Sequence, residues 1–161
     1  MQGYRRDEGE HPSGDEGSAM TRFNLANGPT RLAAGAFILH SGLGKWSGDE
    51  NTAAAIHGMA SGTYPFLRSV EAPRFLRLLA GAEIGLGAAL LTPVVPSAVA
   101  GAGLTGFAAG LLGLYVRTPG MREGVGPTRQ GIPLAKDVWL LGIGAGLVLD
   151  GLAARRARSG R

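Results

Sequence analysis

Glu83 poses the sharpest chemical question in the chain. It is the one acid in an apolar run at residues 73–92 and lies close to its centre. A carboxylate in such surroundings must face a polar interior, pair with a cation or hold a proton. Cations are at hand. Arg31 and Lys45 fall on nearly one face of the preceding run, residues 29–46, with Gly35 and Gly42 between them on that face. If the run is helical, the result is a glycine-lined groove ended by positive charge. Lys136 and Asp137 open the last apolar run, where an aspartate suits a helix N-terminus and a lysine can snorkel. Arg31, Lys45, Glu83, Lys136 and Asp137 therefore form the candidate ligand-binding set. Such a set would hold a polar headgroup such as a quinone carbonyl, or relay protons. The plainer alternative is an internal ion-pair network that fixes helix packing.

Composition removes other chemistries. The chain has no cysteine, which excludes disulfides, thiol redox chemistry and cysteine metal sites within it. His40 points roughly opposite to Arg31, no second histidine stands at helical ligand spacing beside it, and His57 belongs to a connection, so no metal site is expected. No self-sufficient catalytic motif is visible. A redox role would need a bound cofactor or a partner.

The elements that must carry these residues are apolar helices. The chain has 161 residues, 28 of them glycine, and only 17% are charged. Most charges fall in the first twenty residues, the connections and the last seven. A membrane span needs about 20 mainly apolar residues, and four runs qualify: 29–46, 73–92, 96–116 and 133–154. The third has no charged residue before Arg117 and offers no polar face, which argues against a soluble bundle. Period-two alternation is absent, which argues against strands. The expected fold is all-α, an integral membrane four-helix bundle over residues 28–155. A polar N-terminal tail at 1–27 is expected to be disordered and is too acidic for a secretory signal. A basic C-terminal tail covers 156–161.

Residues 93–96 are too few for anything but an antiparallel hairpin between the second and third runs. The connection 47–72 should hold a short helical piece at about 51–59 that lies on the membrane surface or folds over the bundle mouth. Residues 116–133 read as irregular loop. The net charge of +4 does not point to nucleic acid, because the arginines sit just beyond apolar runs, where lipid headgroups explain them. The arginines after the last run favour a multi-pass cell-membrane protein with both termini in the cytoplasm.

Glycine spacing gives a packing expectation. Gly81 with Gly85, Gly106 with Gly110 and Gly142 with Gly146 are small-xxx-small pairs, which let helices approach closely in lipid. Together with Gly35 and Gly42 they are expected to line helix contacts, within the bundle or in a homo-oligomer. The strings Arg31-Leu-Ala-Ala-Gly-Ala and Arg77-Leu-Leu-Ala-Gly-Ala hint at a repeat.

Several of these residues together resemble the DoxX-like family of small four-helix membrane proteins. The likeness rests on Arg31, Gly35, Phe37, Gly42 and Lys45 in the first run, Glu83 with Gly85 and Gly87 in the second, and Lys136-Asp137 at the start of the last. It covers residues 31–152. The wider group includes the membrane subunit of thiosulfate:quinone oxidoreductase. The resemblance implies an accessory or quinone-interacting subunit of a membrane-associated redox system, with Arg31, Lys45, Glu83, Lys136 and Asp137 around a headgroup-sized pocket and a redox-enzyme partner supplying the redox centre. Two other readings stand beside it. One is a non-catalytic structural or assembly protein whose buried charges only fix packing, and the other is a small proton-coupled carrier.

Overall fold

The computed structural model describes residues 27–160, and these are mostly helical. The expected disordered tail lies almost wholly outside the described residues.

Helix α1 spans Gly28–Trp46, with Pro29 in its first turn, where a missing N–H costs nothing. Helix α2, Glu50–Thr63, starts at Asp49, whose side chain accepts a hydrogen bond from the Thr52 amide at 2.8 Å. That bond and its backbone neighbours hold the Asp49 carboxyl below its ordinary value. A 3-10 turn, Pro65–Ser69, leads to α3, Ala72–Leu91, again with a proline in the first turn. Pro96 precedes α4, Ser97–Arg117, whose last residue places a positive charge on the helix C-terminus. A small antiparallel hairpin follows: β1, Arg122–Glu123, pairs with β2, Gly126–Pro127. Its turn needs Gly124, at φ +59. A single turn α5, Ile132–Ala135, then leads through Lys136 and Asp137 into α6, Val138–Ser159.

Three boundaries differ from expectation. The 47–72 connection is more regular, because Asp49 caps a helix that runs to Thr63. Residues 116–133 contain a hairpin rather than only irregular chain. The last helix continues to Ser159. Arg155, Arg156 and Arg158 extend it, as expected for cations beside a C-terminal macrodipole.

The main helices form two antiparallel pairs. In the first, α1 lies on α3: a Cβ at Gly42 would stand 2.9 Å from Glu83 Cβ, one at Gly35 the same from Leu91 Cγ, and one at Gly87 2.7 Å from the Leu39 amide nitrogen. In the second, α4 lies on α6: a Cβ at Gly101 would meet the Gly144 carbonyl oxygen at 2.7 Å, and one at Gly151 the Ala98 nitrogen at 2.7 Å. Each seam therefore brings backbone against backbone, with Gly35 and Gly42, and likewise Gly144 and Gly151, two turns apart on one face.

The expected i,i+4 pairs behave differently. A Cβ at Gly81, Gly85, Gly106, Gly110, Gly142 or Gly146 would meet nothing within 4 Å. The small-xxx-small reading is corrected for helix seams within the chain: the seams repeat every two turns, five of those six glycines are exposed, and Gly110 is half-buried beside Tyr64. Gly35 and Gly42 do lie in a seam. The repeat hint finds no matching roles, since Arg31 is buried and Arg77 is exposed, its guanidinium 5.3 Å from the centre of the Trp46 ring.

The interior is built from small residues, including Ala34, Ala80, Ala100 and Ala108, with Ile38, Leu90 and Leu104 the largest fully buried side chains. Large apolar groups point outward instead: Leu32, Phe37 and Leu43 on α1, Leu78 on α3, and Trp139 and Leu149 on α6. Two helical stretches, Ser97–Arg117 and Ile132–Ser159, are long and apolar enough to cross a membrane. The α1 and α3 runs, expected to do the same, fall short of that measure. Helix α1 carries two charged groups, Arg31 and Lys45, and α3 carries three, Arg74, Arg77 and Glu83.

Candidate functional site

Lys45 and Glu83 meet across the α1–α3 seam. Lys45 Nζ stands 2.9 Å from Glu83 Oε2 and donates a second hydrogen bond, 2.7 Å long, to Ser41 Oγ one turn earlier on its own helix. The Glu83 side chain is 4% exposed and that of Lys45 23%. The carboxylate is thus buried in the seam, while the ammonium forms the open end of the pair. Gly42 makes the meeting possible, since a side chain there would collide with the Cβ of Glu83 and with the Ile84 backbone nitrogen.

The hydrogen-bonding inventory of the pair is incomplete. An ammonium has three donors, and among the described residues Lys45 engages two acceptors. The bonded carboxylate oxygen is Oε2, and among the described residues no fully buried side-chain polar atom lacks a partner, so Oε1 is not fully buried. One donor and one acceptor therefore remain side by side.

Asp137 is the third member. It is 9% exposed, at the turn into α6, and the charges of Lys136, Glu83 and Lys45 all act on its carboxylate. Lys136 itself faces solvent. The structure thus groups Lys45, Glu83 and Asp137, with Lys136 at the rim.

Arg31 does not belong with them. Its Nε donates to Leu90 O at 2.8 Å, Nη1 to Val95 O at 3.0 Å and Ser97 Oγ at 3.2 Å, and Nη2 to Ala89 O and Thr92 O, both at 2.9 Å. All five guanidinium donors are used. Arg31 clamps the end of α3 and the turn into α4, satisfying carbonyls that a helix C-terminus leaves without partners. The pairing of Leu90 with Gly35 and of Glu83 with Gly42 puts the clamp about two turns from the Lys45 pair along the seam. The glycine face with a cation toward either end is observed as a packed seam, but Arg31 is held at its far end, and its expected place in the ligand-binding set is corrected accordingly.

Helix α2 follows the Lys45 end of α1 in the chain. Helix α2 packs chiefly on α3, and its end is fastened to α4: Tyr64 Oη donates to Gly110 O at 2.9 Å, and Thr63 Oγ1 lies 2.9 Å from Thr118 Oγ1. The Tyr64 hydroxyl fills the place that a side chain at Gly113 would need, and Arg117 stands 5.9 Å from the centre of the tyrosine ring. His57 of α2 bonds Leu67 O at 3.0 Å and meets the Phe75 ring edge-on. The connection thus folds back onto α3 and α4.

Ser41 and Tyr64 were not singled out by sequence reasoning. Ser41 had a usable signal, standing one helical turn before Lys45 on the same face. Tyr64 had none, because its acceptor is a backbone carbonyl. Among the described residues no group of three His, Cys, Asp or Glu side chains is placed to hold a metal ion, and His40 is exposed. Comparison with family models, with curated proteins and with solved structures finds no match to this chain.

Proposed function

We propose that this chain is a four-span membrane protein whose Lys45–Glu83 pair, with Asp137 nearby, binds the polar headgroup of a lipid-soluble molecule. The observation that carries the reading is the half-used pair: an ammonium with a donor to spare beside a carboxylate with an oxygen to spare, at the edge of an otherwise apolar interior.

Membrane residence for all four helices is supported by the reversal of side-chain sizes. Burying alanine and glycine while exposing Phe37, Leu78, Trp139 and Leu149 is unfavourable in water and natural in hydrocarbon. The charges on α1 and α3 fit the same setting, because Arg31 is fully hydrogen-bonded and Lys45 is paired. In this reading both termini lie in the cytoplasm, the side favoured by the arginines that follow the apolar part of α6. The chain has no cysteine, so single introduced cysteines report without background. Phe37→Cys and Leu149→Cys should resist a water-soluble maleimide in intact membranes, while Asp49→Cys reacts from one side. Equal labelling of all three would end the membrane reading.

For the ligand, a quinone-class headgroup fits the donor of Lys45, and this agrees with the DoxX-like resemblance. The role is then an accessory subunit whose redox chemistry resides in a partner. Gentle purification followed by extraction and mass spectrometry tests it. A stoichiometric quinone or quinol, lost in a folded variant that combines Lys45→Met with Glu83→Met, supports the proposal. A clean and empty homo-oligomer favours the structural alternative, for which the completed Arg31 clamp is the specific precedent within this molecule.

A further inference from the structure

We infer that the Lys45–Glu83 site selects a hydroxyl headgroup over a carbonyl one, so that it holds the reduced, quinol-like form of an amphipathic ligand or another lipid-soluble alcohol. This rests on the reading of the pair as a ligand site and adds which chemical state it takes.

The argument is one of hydrogen-bond complementarity. Lys45 offers its third N–H at the open end of the pair, and Glu83 Oε1 offers an acceptor beside it. A hydroxyl is donor and acceptor in one atom. Its oxygen can accept from Lys45 while its hydrogen goes to Glu83, which closes the inventory of both side chains. A carbonyl oxygen can satisfy only Lys45. It would also set its lone pairs against the Glu83 carboxylate, whose remaining oxygen would give up water and gain no donor. An ether has the same defect. A ligand that displaces water from a charged acceptor without offering a donor in return loses affinity by about tenfold or more. An anionic headgroup fares worse, since Glu83 and Asp137 would both repel it.

Ser41 supports the site without setting the preference. Its hydroxyl accepts from Lys45, which holds the ammonium on this side of the seam. Ser41→Ala should therefore weaken binding of every probe by a similar factor without changing their order.

The experiment compares three probes with the same short apolar tail, a benzoquinol, the matching benzoquinone and the quinol dimethyl ether, together with dioctanoylglycerol as an aliphatic alcohol. Binding to the full chain in nanodiscs is read by calorimetry under argon. The expected result is that the quinol or the glyceride binds at least tenfold more tightly than the quinone and the ether. Which of the two hydroxyl probes leads tells a phenolic from an aliphatic source. Glu83→Gln, checked for fold by its melting temperature, should bring quinone and quinol to within about threefold, because the amide can donate to a carbonyl. Should Glu83→Gln fail to fold, Glu83→Asp serves, weakening the quinol more than the quinone. Quinone binding as tight as quinol overturns this inference and leaves the site reading intact. Binding of none of the four overturns both.

Discussion

Gly42 touches Glu83 directly, and that contact sets the distance from which Lys45 reaches the carboxylate. A methyl group at Gly42 would come within 2.9 Å of Glu83 Cβ and of the Ile84 nitrogen. The backbone nitrogen cannot step aside, so α1 and α3 must part. Gly42→Ala should therefore lower stability by about 1–3 kcal/mol and lengthen the Lys45 to Glu83 separation. Thermal denaturation in detergent checks the first effect, and a structure of the variant checks the second.

Seam and outward glycines should separate cleanly. Gly101→Ala drives a methyl into the Gly144 carbonyl and the Val148 nitrogen, and should lower stability by about 1–3 kcal/mol. Gly106→Ala and Gly142→Ala meet nothing within 4 Å and should be neutral, or stabilising by up to about 1 kcal/mol through helix propensity. Melting temperatures of the three variants in one detergent decide it. A large loss in Gly106→Ala would mean that the outward stripe is occupied in the native assembly.

Removing Lys45 alone strands Glu83 in the seam. Lys45→Met should lower stability by about 3–5 kcal/mol, whereas Lys45→Met combined with Glu83→Met should restore much of it. The readout is a double-mutant cycle on unfolding free energy. Additive losses would show that the two side chains do not interact as a pair.

The Tyr64 latch should matter locally. Tyr64→Phe deletes the bond to Gly110 O and should reduce stability by about 1 kcal/mol. Hydrogen exchange should rise across Glu50–Thr63 while the α4–α6 pair is unchanged. Uniform exchange across the chain would deny α2 any independent opening.

Acid should loosen the start of α2. The Asp49 carboxyl sits below its ordinary value because Thr52 donates to its ionised form. A folded value below the unfolded one means that the contribution is complete above the ordinary carboxylate range. It is lost as pH falls through the lowered value. The Thr52 amide resonance should titrate with that lowered value, and Asp49→Ala should abolish the response.

Much of this arrangement is legible in the sequence, for identifiable reasons. Glu83 announces itself because a carboxylate in an apolar run must find a cation, and Lys45 is that cation. Helix starts at Pro29 and Pro73 follow from local chemistry. The seams are harder to read, because a glycine belongs to a contact only relative to a partner helix whose rotation is set by everything else. Gly101 and Gly87 carry no mark that Gly106 and Gly85 lack. Arg31 is misplaced by sequence reasoning for a different reason. A side chain looks for charge in a sequence, but this one finds five uncharged oxygens, four of them on the main chain.

That clamp also sets an order of events during synthesis. Every acceptor that Arg31 uses lies between residues 89 and 97. Until that stretch has left the ribosome, the first helix carries a guanidinium with nowhere to bond. Nascent chains stalled near residue 85 should leave Gly28–Trp46 open to protease, and chains stalled well past residue 97 should protect it. The N-terminal helix is made first, yet its arginine finds its full set of bonds only after the hairpin partner and the turn beyond it have been made.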